Sequence, residues 1–207
     1  MKSYKINENS KYWDKYYNNK KEILPNSPFS KFTLPYLQPK LSLIDIGCGD
    51  GRDSLFFAKN NIETLGVDFS KITILKNKKY ENDNLKFKRL NLMKIDDISQ
   101  SFNYAYCRFM LHAINYEIQE RTFDWMSKNI LNKIFIETRI TDSKVDSQKY
   151  NHFRRDLTKD EVITSLEKYD LKIVYSKVSR NFSKYKKAYS VKDLNHNPLL
   201  LRIVIQK

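Results

Sequence analysis

Glycine is scarce in this chain. Its 207 residues include only four, roughly a third of the usual share. Cysteine is scarcer still. The two present, Cys48 and Cys107, are too few for a disulfide framework, and a reducing cytoplasm is the expected setting. Three scattered histidines add no clustered Cys/His set, so no metal site is expected. No apolar run approaches the length of a membrane span, and the opening Met1-Lys-Ser-Tyr-Lys5 lacks the apolar core of a signal peptide. Acid is also in short supply: 24 Asp and Glu face 38 Lys and Arg, for a formal charge of +14. Such an excess can mark a nucleic-acid footprint. Here lysine outnumbers arginine about three to one, and the cations are scattered rather than gathered in one tract. The excess therefore reads mainly as composition, with part of it serving an anionic ligand, and no nucleic-acid partner is expected.

What is present is concentrated. Three of the four glycines, Gly47, Gly49 and Gly51, stand in Leu43-Ile-Asp-Ile-Gly-Cys-Gly-Asp-Gly51. The apolar run Leu41–Ile46 before them reads as a buried parallel strand, and Arg52–Ala58 after them reads as the start of a helix. A strand, a glycine turn and a helix N-terminus form a corner suited to an adenosine-containing cofactor. Spacing narrows the choice. Dinucleotide sites use G-x-G-x-x-G, but here Arg52 occupies the third glycine's place. Asp45, Asp50 and Asp53 frame the turn, where they would repel a pyrophosphate and suit a cationic ligand. S-adenosylmethionine, with its sulfonium and ammonium, answers that description.

Asp45-Ile-Gly-Cys-Gly-Asp-Gly51 resembles the first motif of class I S-adenosylmethionine-dependent methyltransferases. The resemblance implies a Rossmann-like α/β fold: a seven-stranded, mostly parallel sheet with an antiparallel last strand and helices on both faces. Later elements fall in the family's order. Ile62–Val67 is a second strand ending in Asp68, an acid placed to accept from the ribose hydroxyls. Leu85–Leu90 is a third strand, followed by Asn91 and Leu92 where the family usually has an acid for the adenine amino group. The cofactor set implied is Asp45, Gly47, Cys48, Gly49, Gly51, Arg52, Asp53, Asp68, Phe69, Asn91, Leu92 and Arg108.

Strands alternating with helices argue for α/β independently of the family. Phe102–Cys107 reads as strand four, Glu117–Asn129 as a helix and Lys133–Glu137 as strand five. Thr158-Lys-Asp-Glu161 has capping-box spacing and opens a helix through Tyr169. Leu171–Tyr175 and Leu199–Ile205 close the sheet as an edge hairpin. Residues 1–40 read as an N-terminal helical lid and 41–207 as one domain. In the lid, Trp13 and Phe29 are placed to cover a sulfonium with aromatic faces.

The acceptor should lie at the carboxyl ends of strands four and five. Arg108 and His112 follow strand four, and a neutral imidazole can take a proton during transfer. Arg139, then His152, Arg154 and Arg155, follow strand five on a segment with little hydrophobic periodicity, suited to a phosphate or carboxylate. Tyr185 joins the rim. His112, Arg108 and His152 are the candidate catalytic residues. His112, Arg139, His152, Arg154, Arg155 and Tyr185 are the candidate substrate contacts. Tyr106–Ile114, Ile136–Arg139, His152–Arg155 and Asn197–Arg202 further resemble a bacterial methyltransferase subfamily that occurs with surface-polysaccharide biosynthesis. Some of its members belong to capsules bearing O-methyl phosphoramidate. That likeness implies a small anionic acceptor, sugar-borne or nucleotide-linked, and S-adenosylhomocysteine as product. Two other readings stay open: an RNA methyltransferase, and a non-catalytic S-adenosylmethionine-binding protein.

Overall fold

Seven strands form one sheet in the order β3-β2-β1-β4-β5-β7-β6. They are β1 (Ser42–Ile46), β2 (Glu63–Asp68), β3 (Leu85–Arg89), β4 (Phe102–Arg108), β5 (Ile130–Arg139), β6 (Lys172–Ser179) and β7 (Leu200–Gln206). The computed structural model describes residues 6–20, 23–141, 153–183 and 198–207. Strands β1 to β5 run parallel, and β7 runs antiparallel to both β5 and β6. This is the Rossmann-like methyltransferase arrangement expected from the sequence.

Period-two alternation sends each strand's side chains to two cores. Ile44, Ile46, Ala105, Cys107, Ile134 and Ile136 face α5 (Tyr116–Asn129) and α6 (Lys159–Glu167). Leu43, Tyr104, Tyr106, Phe135 and Val204 face the other way, with Phe57 of α3 (Arg52–Lys59) and Phe29 of α2 (Pro28–Thr33). The Thr158 capping box forms as its spacing requires: Glu161 N donates to Thr158 Oγ1 at 3.2 Å, and Thr158 N donates to Glu161 Oε2 at 2.7 Å.

The strands outrun their apolar cores. β5 reaches Arg139 and β6 reaches Ser179 because β7 pairs along both, carrying polar residues into the ladder. Two N-terminal helices precede the sheet. Helix α1 (Ile6–Asn19) lies against α4 (Lys71–Asn77): Asp14 accepts from Ser70 Oγ at 2.5 Å, and Lys76 Nζ donates to the Tyr17 carbonyl at 2.7 Å. Among the described residues no helix is long and apolar enough to cross a membrane.

Candidate functional site

The turn after β1 is built on left-handed backbone, with φ of 77°, 53° and 73° at Gly47, Gly49 and Gly51. Gly47 N and Cys48 N both donate to Val67 O, at 2.8 and 3.0 Å, which locks the turn against the end of β2. Asp68 completes the corner. Its Oδ2 accepts from Gly49 N at 3.0 Å and its Oδ1 from Ser70 N at 2.9 Å. A Cβ on Gly49 would run into the Tyr17 hydroxyl, so bare backbone is needed where α1 closes over the turn.

The acids divide. Asp50 pairs with Lys20 at 2.5 Å, and Asp45 accepts from Ser54 Oγ at 2.6 Å beneath the turn. Burial pushes the Asp45 carboxyl up to about 8, with the charges of Asp53 and Asp68 adding to the rise and the Ser54 hydrogen bond opposing it. Burial raises Asp68 as well. This chemistry fits a cationic cofactor: a sulfonium and an ammonium would supply the positive charge that buried carboxyls lack.

A raised folded-state pKa means that Asp45 supports folding fully below its ordinary value of 3.8, and that this support is lost as pH rises through about 8. The melting temperature of the cofactor-free protein is therefore expected to fall between about pH 4 and 8, and Asp45→Asn to flatten much of that slope. A wild-type slope that persists unchanged in Asp45→Asn contradicts this assignment.

Several residues expected at the cofactor are committed elsewhere. Asp53 is buried and accepts from Ser27 N, Ser27 Oγ and the Tyr106 hydroxyl at 2.6, 2.7 and 2.8 Å. It anchors the cap of α2 to the sheet instead of facing the turn. That anchorage carries Phe29 into the core, stacked on Tyr106 at 5.0 Å and fully buried, so Phe29 does not line a cofactor surface. Arg52 reaches back to Pro25 O at 3.4 Å. The side-chain Oδ1 of Asn91 accepts from Met93 N at 3.1 Å, capping the turn that begins at Leu92, which packs on the core. Phe69 carries the Arg89 guanidinium at 5.7 Å. Trp13 packs edge-on to Tyr12 and Tyr16, and Tyr17 of the same helix is the residue that reaches the glycine turn.

A second corner sits at the carboxyl ends of β4 and β5. A Cβ on Gly47 would come within 3.1 Å of Met110, so the turns after β1 and β4 touch. Phe109 is held at φ 59°, its N–H donating to Glu137 O at 2.8 Å. Its ring carries the Arg108 guanidinium at 3.9 Å and that of Arg139 at 5.4 Å, and meets the His112 ring edge-on at 6.0 Å. Beneath it Arg108 Nε donates to Glu137 Oε1 at 2.9 Å, and Arg202 Nε donates to Glu137 Oε2 at 2.6 Å. Arg108, Arg139 and His112 are thus brought together. The backbone N–H of Arg155 donates to His112 O at 2.8 Å. Its side chain turns to Gln119 Oε1 at 3.1 Å and the Tyr116 ring, bracing the segment against α5 rather than aiming at the corner. Arg154 stands beside it on the same segment, 153–158. His152 and Tyr185 lie outside the described residues.

A family model described as a methyltransferase domain matches residues 19–172. An uncharacterized protein of Rickettsia prowazekii (strain Madrid E) is 32% identical over 92 residues, a match that spans 42% of this chain and 37% of that protein. Among solved structures, a TehB-like SAM-dependent methyltransferase from Corynebacterium glutamicum superposes with a TM-score of 0.68 at 14% identity, covering 96% of this chain and 97% of that one. Geranyl diphosphate C-methyltransferase from Streptomyces coelicolor A3(2), solved with Mg2+, geranyl diphosphate and S-adenosyl-L-homocysteine, superposes with a TM-score of 0.71 at 12% identity, covering 96% and 98%. These structural likenesses are at the level of fold.

Proposed function

Because this chain belongs to the family of methyltransferase domains, we propose that it transfers a methyl group from S-adenosylmethionine to a small anionic acceptor. The observation that carries the acceptor class is the corner after β4 and β5, where Arg108 and Arg139 share the Phe109 ring, with His112 at its edge. That corner touches the glycine turn, so a donor held there faces the cationic ring pair. A neighbour of the same fold, geranyl diphosphate C-methyltransferase, was solved with geranyl diphosphate, which supports the reading of a phosphorylated acceptor.

Bound S-adenosylmethionine supplies an electrophilic methyl group. The chain's residues supply position and charge. In this reading Asp68 accepts from the ribose hydroxyls, and the buried Asp45 faces the cationic part of the cofactor. Arg108 and Arg139 fix the acceptor's anionic group, and guanidinium geometry favours a phosphate or phosphoramidate over a point-charge partner. Where the acceptor atom is a hydroxyl, His112 would take the proton it loses on methylation. Because the methyl donor is already activated, holding the two reactants in line contributes most of the acceleration. The finer reading is O-methylation of a phosphate, phosphoramidate or sugar group on a surface-polysaccharide precursor. Assaying such precursors, with phosphate-free analogues beside them, tests it. Methylation restricted to phosphate-free sugars contradicts the anionic class.

His112→Ala is expected to lower kcat by roughly 10²-fold or more, with calorimetric affinity for S-adenosylhomocysteine unchanged. Normal turnover would remove His112 as the base and leave the proton to His152 or solvent.

A further inference from the structure

Arg202 lies on the last strand, in a run of buried apolar residues, and belongs to neither the cofactor turn nor the acceptor corner. Yet it is registered directly opposite Glu137, which is registered opposite Arg108, so the three form one row across β4, β5 and β7. Glu137 is 1% exposed and spends one oxygen on each guanidinium. Arg202 cannot swing away. Its guanidinium lies 4.1 Å from the Phe182 ring and 5.3 and 5.2 Å from Phe29 and Phe32, and its Nη2 donates to Phe182 O at 3.2 Å.

We propose that Arg202 is a positioning residue that sets the anion affinity of the acceptor corner by holding half of the Glu137 carboxylate away from Arg108. The inference rests on the anionic-acceptor reading above. A single carboxylate shared by two cations attracts each less than it would attract one alone. In a buried row, where screening is weak, that sharing leaves positive potential at the Arg108 end. Remove the charge of Arg202, and Glu137 turns wholly to Arg108 and neutralises it. Remove the charge of Glu137, and both guanidinium groups gain attraction for an incoming anion. The two changes therefore act on the corner in opposite directions. A merely structural role for this row would make both changes harmful.

The test is calorimetric titration of sodium pyrophosphate into the full chain saturated with S-adenosylhomocysteine. The wild type is expected to bind pyrophosphate. Arg202→Met, whose side chain keeps the contacts with the three rings, is expected to weaken binding roughly tenfold. Arg202→Lys is expected to stay within about threefold of wild type, and Glu137→Gln to tighten binding. Affinity for S-adenosylhomocysteine is expected to be unchanged throughout. Should Glu137→Gln fail to fold, the contrast between Met and Lys at position 202 still decides. Equal affinities for Arg202→Met and Arg202→Lys, or parallel weakening in Arg202→Met and Glu137→Gln, overturn the proposal while leaving the anionic-acceptor reading intact. Wild-type protein that does not bind pyrophosphate overturns both.

Discussion

Replacing Asp68 by alanine is expected to weaken S-adenosylhomocysteine binding by about 3–6 kcal/mol, roughly 10²- to 10⁴-fold. The carboxylate is assigned to two ribose hydroxyls, and each hydrogen bond to a charged acceptor contributes about 1.5–3 kcal/mol. The residue also ties the N–H groups of Gly49 and Ser70 together, so its loss slackens the turn that receives the cofactor. Both effects act in the same direction. Asp68→Asn keeps one acceptor oxygen and is expected to fall between alanine and wild type. Calorimetry with S-adenosylhomocysteine reads the series, and undiminished affinity in Asp68→Ala contradicts the assignment.

Glu137→Ala is expected to destabilise the fold by about 3–5 kcal/mol, because it leaves two buried guanidinium groups facing each other without their carboxylate. Urea unfolding should show the midpoint falling with little change in slope. The double variant Glu137→Ala with Arg202→Met removes one of the stranded charges and is expected to recover part of the loss. A midpoint within experimental error of wild type in Glu137→Ala would mean that the row is hydrated and weak.

Much of the fold was legible because its signals are local. Strand β1, the three glycines and the helix start are contiguous, and glycine suits left-handed positions where neighbouring side chains crowd the place a Cβ would take. Asp68 was legible for the same reason, standing at the tip of an apolar strand. The N-terminal segment was only half legible. Aromatic density marked α1, but helical spacing alone could not say that Tyr17 rather than Trp13 reaches Gly49. Asp53 and Phe29 misled because their partners are distant in sequence. Asp53 belongs with Ser27 and Tyr106, 26 and 53 residues away. Arg155 misled because adjacency to Arg154 on a loop carries no direction, and Gln119 on α5 claims its guanidinium. Arg202 did leave a trace. A lone cation inside Leu200–Gln206, and a lone acid closing Ile134-Phe-Ile-Glu137, each demand a buried partner, and they are each other's.

The central claim is methyl transfer to a small anionic molecule, and it is tested most directly with a labelled methyl group. A small-molecule extract of the cells that make this protein is divided by anion exchange, and each fraction is incubated with the enzyme and S-adenosylmethionine carrying a labelled methyl. The label is expected to appear in the retained, anionic fraction and to disappear when Arg108 and Arg139 are both replaced by methionine. Label entering only the unretained fraction, or entering the anionic fraction equally with and without those two arginines, would contradict the account.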